Sequence, residues 1–392
     1  MATEATKADA QGDAAKGGTR PRRAYKRIVV KFGTSLLTAG SDRLDLEVMA
    51  GLVAQVARLR ERGIEVIVVS SGAIAAGRHR LGSNEAGKDM PSRQVLASVG
   101  QSHLMQTYDR LFGEHDLVVA QTLLTRRDLA DRVGYLNARN TLLALLDLGA
   151  VPIVNENDVV AVEEIEGILI GDNDNLSALC VNLVDAHLLA ILTDTGGLHT
   201  ADPRRHPDAE LLTCVERITP EIEALADDAP TPHGVGGMIT KLQAAKLATA
   251  GGADVVIASG HEPNALERLF EGEAIGTLFP ANIDRLESRK RWMLAGLAAR
   301  GRIVVDAGAA KAVLSQGRSL LPAGVRDVSG PFERGDTVSI HGEDGARLAV
   351  GITNYNHEDA AAICGVRSDR IVEVLGHEYG EELVHRNNLV LL

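Results

Sequence analysis

Two periodicities alternate along this chain. Short apolar runs at 27–32, 64–69, 117–123, 150–154 and 187–192 have the length and branched-residue content of buried strands. Between the first two, Leu46, Met49, Leu52, Val53, Val56 and Leu59 recur three and four residues apart, which predicts an amphipathic helix that stops at Gly63. The same spacing predicts helices over 91–112 and over 135–148, the second closed by Gly149. Strand followed by helix, repeated, predicts an α/β three-layer sandwich whose mostly parallel central sheet is covered on both faces. Runs at 254–258 and 276–279 supply the last strands of that domain. A charged segment, 284–291, then reads as a linker, after which short strands at 302–306, 336–341 and 348–352 are broken by glycine-rich turns. That change of pattern predicts a small β-rich domain. The expected organisation is a disordered tail over 1–24, an α/β domain over 25–282, a linker over 283–300 and the β-rich domain over 301–392.

Polar residues interrupt the pattern where a core has no use for them. Gly171-Asp172-Asn173-Asp174-Asn175-Leu176-Ser177 lies between an apolar run and a helix-like one. Asp, Asn and Ser cap helices by accepting from unpaired backbone N–H groups, and a cap needs one such residue. Here they come in succession, and a second cluster, Asn155-Glu156-Asn157-Asp158, follows the strand at 150–154. Two such clusters at strand ends point to one polar site. Lys31 stands at the mouth of the first strand, before Gly33-Thr34-Ser35, where α/β sheets bind ligands. Ser70-Ser71-Gly72-Ala73-Ile74-Ala75-Ala76-Gly77 suits either close helix packing or the approach of backbone N–H groups to an anion. Thr193-Asp194 adds a further polar turn. Gly234-Val235-Gly236-Gly237-Met238-Ile239-Thr240-Lys241 is neither a Walker A loop nor a dinucleotide fingerprint, yet it is a glycine-rich helix start with a lysine one turn in.

Composition narrows the classes. With 392 residues, 45% hydrophobic and 24% charged, the chain can bury the cores of two domains. Its net charge of −12 argues against broad binding to nucleic acid or membrane surfaces. Cys180, Cys214 and Cys364 lack paired or metal-ligand spacing and read as reduced core thiols. Residues 1–19 contain no apolar stretch of the kind a signal peptide needs, so a cytoplasmic protein is expected.

Two lysines, two glycine-rich turns and several carboxylates at sheet ends suit phosphoryl transfer from a nucleotide. Such catalysis is mostly positioning and charge neutralisation. Mg²⁺ accompanies nucleotides and needs only one or two carboxylates, from among Asp172, Asp174 and Asp194.

Taken together, Val30-Lys31-Phe32-Gly33-Thr34-Ser35, the Ser70 to Gly77 motif, Asn155-Glu156-Asn157-Asp158, the Gly171 to Ser177 motif and Gly236-Gly237-Met238 with Thr240-Lys241 resemble the glutamate 5-kinase family in order and rough spacing. The likeness runs from about 26 to 390 and includes a C-terminal segment similar to the PUA domain of RNA-modifying proteins. It implies the amino-acid-kinase fold and transfer of the ATP γ-phosphoryl group to the side-chain carboxylate of L-glutamate, opening proline biosynthesis. It further implies that Lys31 and Lys241 bind phosphates, with Asp174 holding both. Ser71, Asn155, Asp158 and Asn173 would bind glutamate. Thr193, Asp194 and Val235, Gly236, Gly237, Met238, Ile239, Thr240 and Lys241 would bind ATP with its Mg²⁺. Proline as feedback inhibitor and a homo-oligomer are also implied. Val235 and Ile239 depart from the family's usual Thr and small residue. Other kinases of this fold would share the lysines. An RNA-binding protein led by its C-terminal domain is disfavoured, because acidic residues outnumber basic ones over 301–392.

Overall fold

The structure, a computed structural model, describes residues 25–82, 90–161, 173–203, 205–227, 237–281 and 299–392. The expected tail over 1–24, the linker at 284–291, Gly171, Asp172, Val235 and Gly236 lie outside the described residues. Two compact units result, Met1–Leu129 with Arg139–Ile283, and Ala130–Ala138 with Asp284–Leu392.

In the first unit the apolar runs become β1 (Arg27–Phe32), β2 (Glu65–Ser70), β3 (Val119–Leu124), β4 (Val151–Glu156), β5 (Leu188–Thr193), β6 (Asp254–Ser259) and β7 (Thr277–Phe279). They form one sheet in the order β3-β4-β2-β1-β5-β6-β7. Every neighbouring pair is parallel except β6 with β7. The mostly parallel sheet read from the strand–helix alternation is thus present. Six strands therefore end at one edge. The chain fills one side of β1 with β2, β3 and β4, then crosses to the other with β5, which makes β1 the switch point where such sheets bind ligands.

Among the described residues of this part of the chain, ten helices follow the strands: α1 (Thr34–Leu37), α2 (Leu46–Glu61), α3 (Ala73–Leu81), α4 (Met90–Gly113), α5 (Arg126–Ala130), α6 (Arg132–Asp147), α7 (Asn173–Val184), α8 (Pro220–Asp227), α9 (Met238–Ala250) and α10 (Ala265–Phe270). The period-2 alternation of β1 sorts its side chains between two faces. Ile28, Val30 and Phe32 pack with Met49, Leu52 and Val56 of α2, Leu104 and Tyr108 of α4, and Leu266 of α10. Val29 and Lys31 face the other way, where α7 lies along the sheet.

The small residues after β2 have two separate uses. Gly72 sits at φ 101°, so the turn into α3 needs a residue without Cβ. Gly77 serves close packing, since a Cβ there would lie 1.9 Å from the Leu96 carbonyl oxygen, and one on Gly100 would lie 1.7 Å from that of Ala73. The two helix backbones touch. Gly100→Ala is therefore expected to destabilise the protein by about 1–3 kcal/mol or more, as overpacking does. Chemical denaturation giving an unchanged midpoint would contradict this contact.

The second unit holds β8 (Gly301–Val305), β9 (Val325–Ser329), β10 (Thr337–Gly342), β11 (Arg347–Ile352) and β12 (Leu389–Leu391), ordered β12-β11-β10-β8-β9. Its pairs are antiparallel save β8 with β10. Short helices α11 (Ala307–Ser315), α12 (His357–Ala362) and α13 (Ile371–Leu375) complete it. Ile303, Val305, Val338, Ile340, Phe332 and Tyr355 form its core. The apolar pattern predicts three of these five strands; β9 is missed because Arg326 and Asp327 break its alternation, and β12 because of its length.

The cysteine expectation needs correction. Cys180 is buried and its thiol is pushed up to about 12 by that burial, but Cys214 is exposed and Cys364 half-buried, so only Cys180 is a core thiol. Cys214 lies beside Leu278 of β7, the last strand of the sheet, in a segment that bridges to it. Among the described residues no helix is long and apolar enough to cross a membrane.

Candidate active site

Strand alternation aims Lys31 at the first turn of α7, and its Nζ lies 2.5 Å from Asp174 Oδ1. From the start of α9, Lys241 Nζ lies 3.3 Å from the other carboxylate oxygen, Oδ2. The Thr240 hydroxyl is 2.9 Å from both Asp174 Oδ2 and the Gly237 carbonyl. Asp174 is fully buried, and Lys31 and Lys241 nearly so. One carboxylate thus holds two ammonium groups from two different elements, and the trio carries one net positive charge. Within it the Asp174 carboxylate, in the first turn of α7, also gains from the helix dipole, which favours negative charge at that end. Gly237 caps α9 with no side-chain bond, which leaves first-turn N–H groups of that helix for another acceptor.

A second network begins one residue earlier. Asn173 Nδ2 donates to the Ser70 carbonyl at 3.2 Å, to Ser71 Oγ at 3.0 Å and to Asn155 Oδ1 at 3.0 Å. Asn155 Oδ1 also accepts from the Glu156 amide at 2.9 Å, and Asn155 Nδ2 donates to Gln101 Oε1 at 2.8 Å. The ends of β2 and β4, the start of α7 and the middle of α4 are tied by side-chain amides. Behind them the Tyr108 hydroxyl lies 2.7 Å from Ser70 Oγ, and burial pushes its pKa well above the ordinary phenol range, so it stays a neutral brace.

Among the residues singled out in the sequence, the contacts join Lys31, Asp174, Thr240, Lys241 and Gly237 in one group, and Ser71, Asn155 and Asn173 in the other. Adjacent positions in α7, Asn173 and Asp174, link the two. Thr193 ends β5 and Asp194 follows it; the Leu192 carbonyl of that strand accepts from the Gly33 amide at 3.2 Å, so they stand beside the turn that follows Lys31. Thr193 is buried and donates to Asp194 Oδ1 at 2.9 Å, while Asp194 is exposed. Asp158 is half-buried in the turn after β4. Met238 and Ile239 occupy the first turn of α9 and are also half-buried. The apolar spacing over 91–112 does not single out Gln101 or Tyr108. Their signal is a polar side chain on the buried stripe Ala97, Gly100, Leu104 and Leu111 of α4, a place where a glutamine needs a partner.

Asp174 was one of three candidates for a Mg²⁺ carboxylate. Its Oδ1 pairs with Lys31, and its Oδ2 accepts from Lys241 and Thr240, so it is a poor direct ligand. Asp172 lies outside the described residues, and Asp194 is exposed with one oxygen accepting from Thr193, so these two stay candidates. Among the described residues no group of three or more His, Cys, Asp or Glu side chains is gathered as an all-protein metal site requires. That donor set fits a cation bound mainly by phosphate oxygens and water.

A parallel sheet with buried lysines at its switch point defines a class, and the comparisons agree on it. The amino acid kinase family matches residues 26–259, and the PUA domain matches residues 301–375. A glutamate 5-kinase of Dehalococcoides mccartyi is 55% identical over 94% of this chain and 99% of its own length. Those of Herpetosiphon aurantiacus and Deinococcus radiodurans are each 52% identical over 93% of this chain, covering 98% and 100% of their own. The chain belongs to the amino acid kinase family and, within it, to the glutamate 5-kinases.

Proposed function

We infer that this protein transfers the γ-phosphoryl group of ATP to the side-chain carboxylate of L-glutamate, giving L-glutamyl 5-phosphate, the first step of proline biosynthesis. The observation that carries the reading is the buried Lys31–Asp174–Lys241 bridge next to the amide network, in a chain so closely similar to glutamate 5-kinases. A glutamate side chain, with a pKa of about 4.3, is already ionised near neutral pH, so attack needs no general base. The difficulty is bringing one anion against another. Lys31 and Lys241 lower that barrier by holding positive charge where phosphoryl oxygens pass, and Asp174 fixes their positions. Ser71, Asn155, Asn173 and Asp158 hold glutamate, with Asp158 pairing its ammonium group. Thr193, Asp194 and the loop at 235–241 hold the nucleotide. Mg²⁺, bound to the phosphates, offsets their charge, and Asp194 fits a role in holding it directly or through water. Proline inhibits through a site overlapping that of glutamate, and the protein works in the cytoplasm as a homo-oligomer.

The deciding experiment supplies purified protein with ATP, Mg²⁺ and hydroxylamine. A hydroxamate should form with L-glutamate but not with L-aspartate or N-acetylglutamate, and inert glutamate would end the assignment. Asp158→Ala should mainly raise the glutamate KM, because a buried ammonium group needs its carboxylate. The same variant should be less sensitive to proline. An unchanged glutamate KM would put Asp158 outside the substrate site.

A further inference from the structure

The orientation of every amide in the Gln101–Asn155–Asn173 network follows from two backbone groups. The Ser70 carbonyl can only accept, so Asn173 must turn Nδ2 toward it. The Glu156 amide can only donate, so Asn155 must turn Oδ1 toward it. Asn155 then presents Nδ2 to Gln101, which has to answer with Oε1. Two atoms are left over by this logic. Gln101 Nε2 and Asn173 Oδ1 are buried and have no hydrogen-bond partner among the described residues. Gln101 as a whole is 9% exposed, and a buried donor or acceptor without a partner is costly enough that most find one.

The leftovers are one donor and one acceptor, flanking Asn155. The head group of a free α-amino acid offers the complement, a carboxylate that accepts and an ammonium that donates. We propose that Gln101 is a substrate-binding residue whose Nε2 donates to the α-carboxylate of the amino-acid substrate, while Asn173 Oδ1 accepts from its α-ammonium group. This rests on the glutamate-kinase reading and adds to it a determinant for the end of the substrate that does not react. Gly100 supports the arrangement, because its backbone contact with Ala73 fixes how far α4, and Gln101 with it, stands from α3.

The bland alternative is that Gln101 only props Asn155 through Oε1. Gln101→Glu separates the two, since it keeps an oxygen for Asn155 but replaces the free donor with an anionic acceptor. The full-length variant should show a glutamate KM raised about tenfold or more, the scale of one hydrogen bond to a charged group. Its ATP KM should be unchanged and its kcat at saturating glutamate within a few-fold of wild type. The substrate analogue with the α-carboxylate replaced by a carboxamide supplies the second arm, because its NH₂ can donate to the new carboxylate. Wild type should prefer glutamate, and Gln101→Glu should shift the ratio of kcat/KM toward the carboxamide at least tenfold. An unchanged glutamate KM, or equal losses for both substrates, would overturn the proposal. If thermal melting shows that Gln101→Glu does not fold, the near-isosteric Gln101→Met should raise the glutamate KM and bring the ratio of the two substrates toward one; an intact preference for glutamate would again overturn it. Calorimetric titration of glutamate and of the carboxamide without ATP reads the same discrimination independently of turnover. An inactive wild type that binds glutamate through Gln101 would sink the kinase reading alone, and glutamate binding indifferent to Gln101 would sink this one.

Discussion

Asp174→Ala is expected to be the most damaging single substitution in the described site. The carboxylate is fully buried between two nearly buried lysines, and removing one partner of a buried ion pair typically costs about 3–5 kcal/mol because the other charge is left without it. Lys31 and Lys241 would then repel one another across an empty space, and Thr240 would lose one of its two acceptors. Because both cations would move from where the phosphoryl group passes, kcat should fall by on the order of 10³-fold, the upper end of what one electrostatic contact supplies. Asp174→Asn keeps the volume and an acceptor for Thr240 but not the charge, so it should lie between wild type and Ala in melting temperature. Denaturation and steady-state kinetics check both parts. A folded Asp174→Ala enzyme with kcat within tenfold of wild type would mean that the lysines do not depend on this carboxylate.

Why the site was legible can be traced to particular residues. Lys31, Asn173 and Asp174 violate the local pattern: a charge inside an apolar strand, and a carboxamide and a carboxylate together where a helix begins, are expensive to bury without a reason. Such violations are visible without coordinates. Gln101 is different, because one polar residue in a long amphipathic helix is within what a helix tolerates, and only the tertiary placement of α4 beside β4 turns it into a partner of Asn155. The ambiguity of the Ser70 to Gly77 motif had the same origin. Of the two expected uses, close helix packing occurs at Gly77, while Gly72 serves the turn, and sequence spacing carries no information on which glycine meets a neighbour. The sheet followed from local alternation, whereas β9 and β12 are held by long-range pairing with β8 and β11. A strand with Arg and Asp at its centre becomes one only when a partner supplies the ladder.

The two lysines give the last and most discriminating expectation. Lys31→Ala and Lys241→Ala should each lower kcat by on the order of 10²- to 10³-fold while changing the glutamate KM much less, because their charge matters most when the phosphoryl group lies between two oxygens. Both should be better folded than Asp174→Ala. Each leaves Asp174 paired with the remaining lysine, and Lys31→Ala leaves its bond from Thr240 as well, so no buried charge loses all the partners described for it. The double variant should fall short of the product of the single effects, since groups converging on one carboxylate act as a unit. It should also lose stability sharply, approaching Asp174→Ala, because the carboxylate is then the charge stranded in the interior. Kinetics on the three variants, with melting curves alongside, separate catalysis from folding. A near-normal kcat in both single variants would remove the lysines from the transfer step, and a double variant as stable as wild type would show that the bridge is not what holds β1, α7 and α9 together at this edge of the sheet.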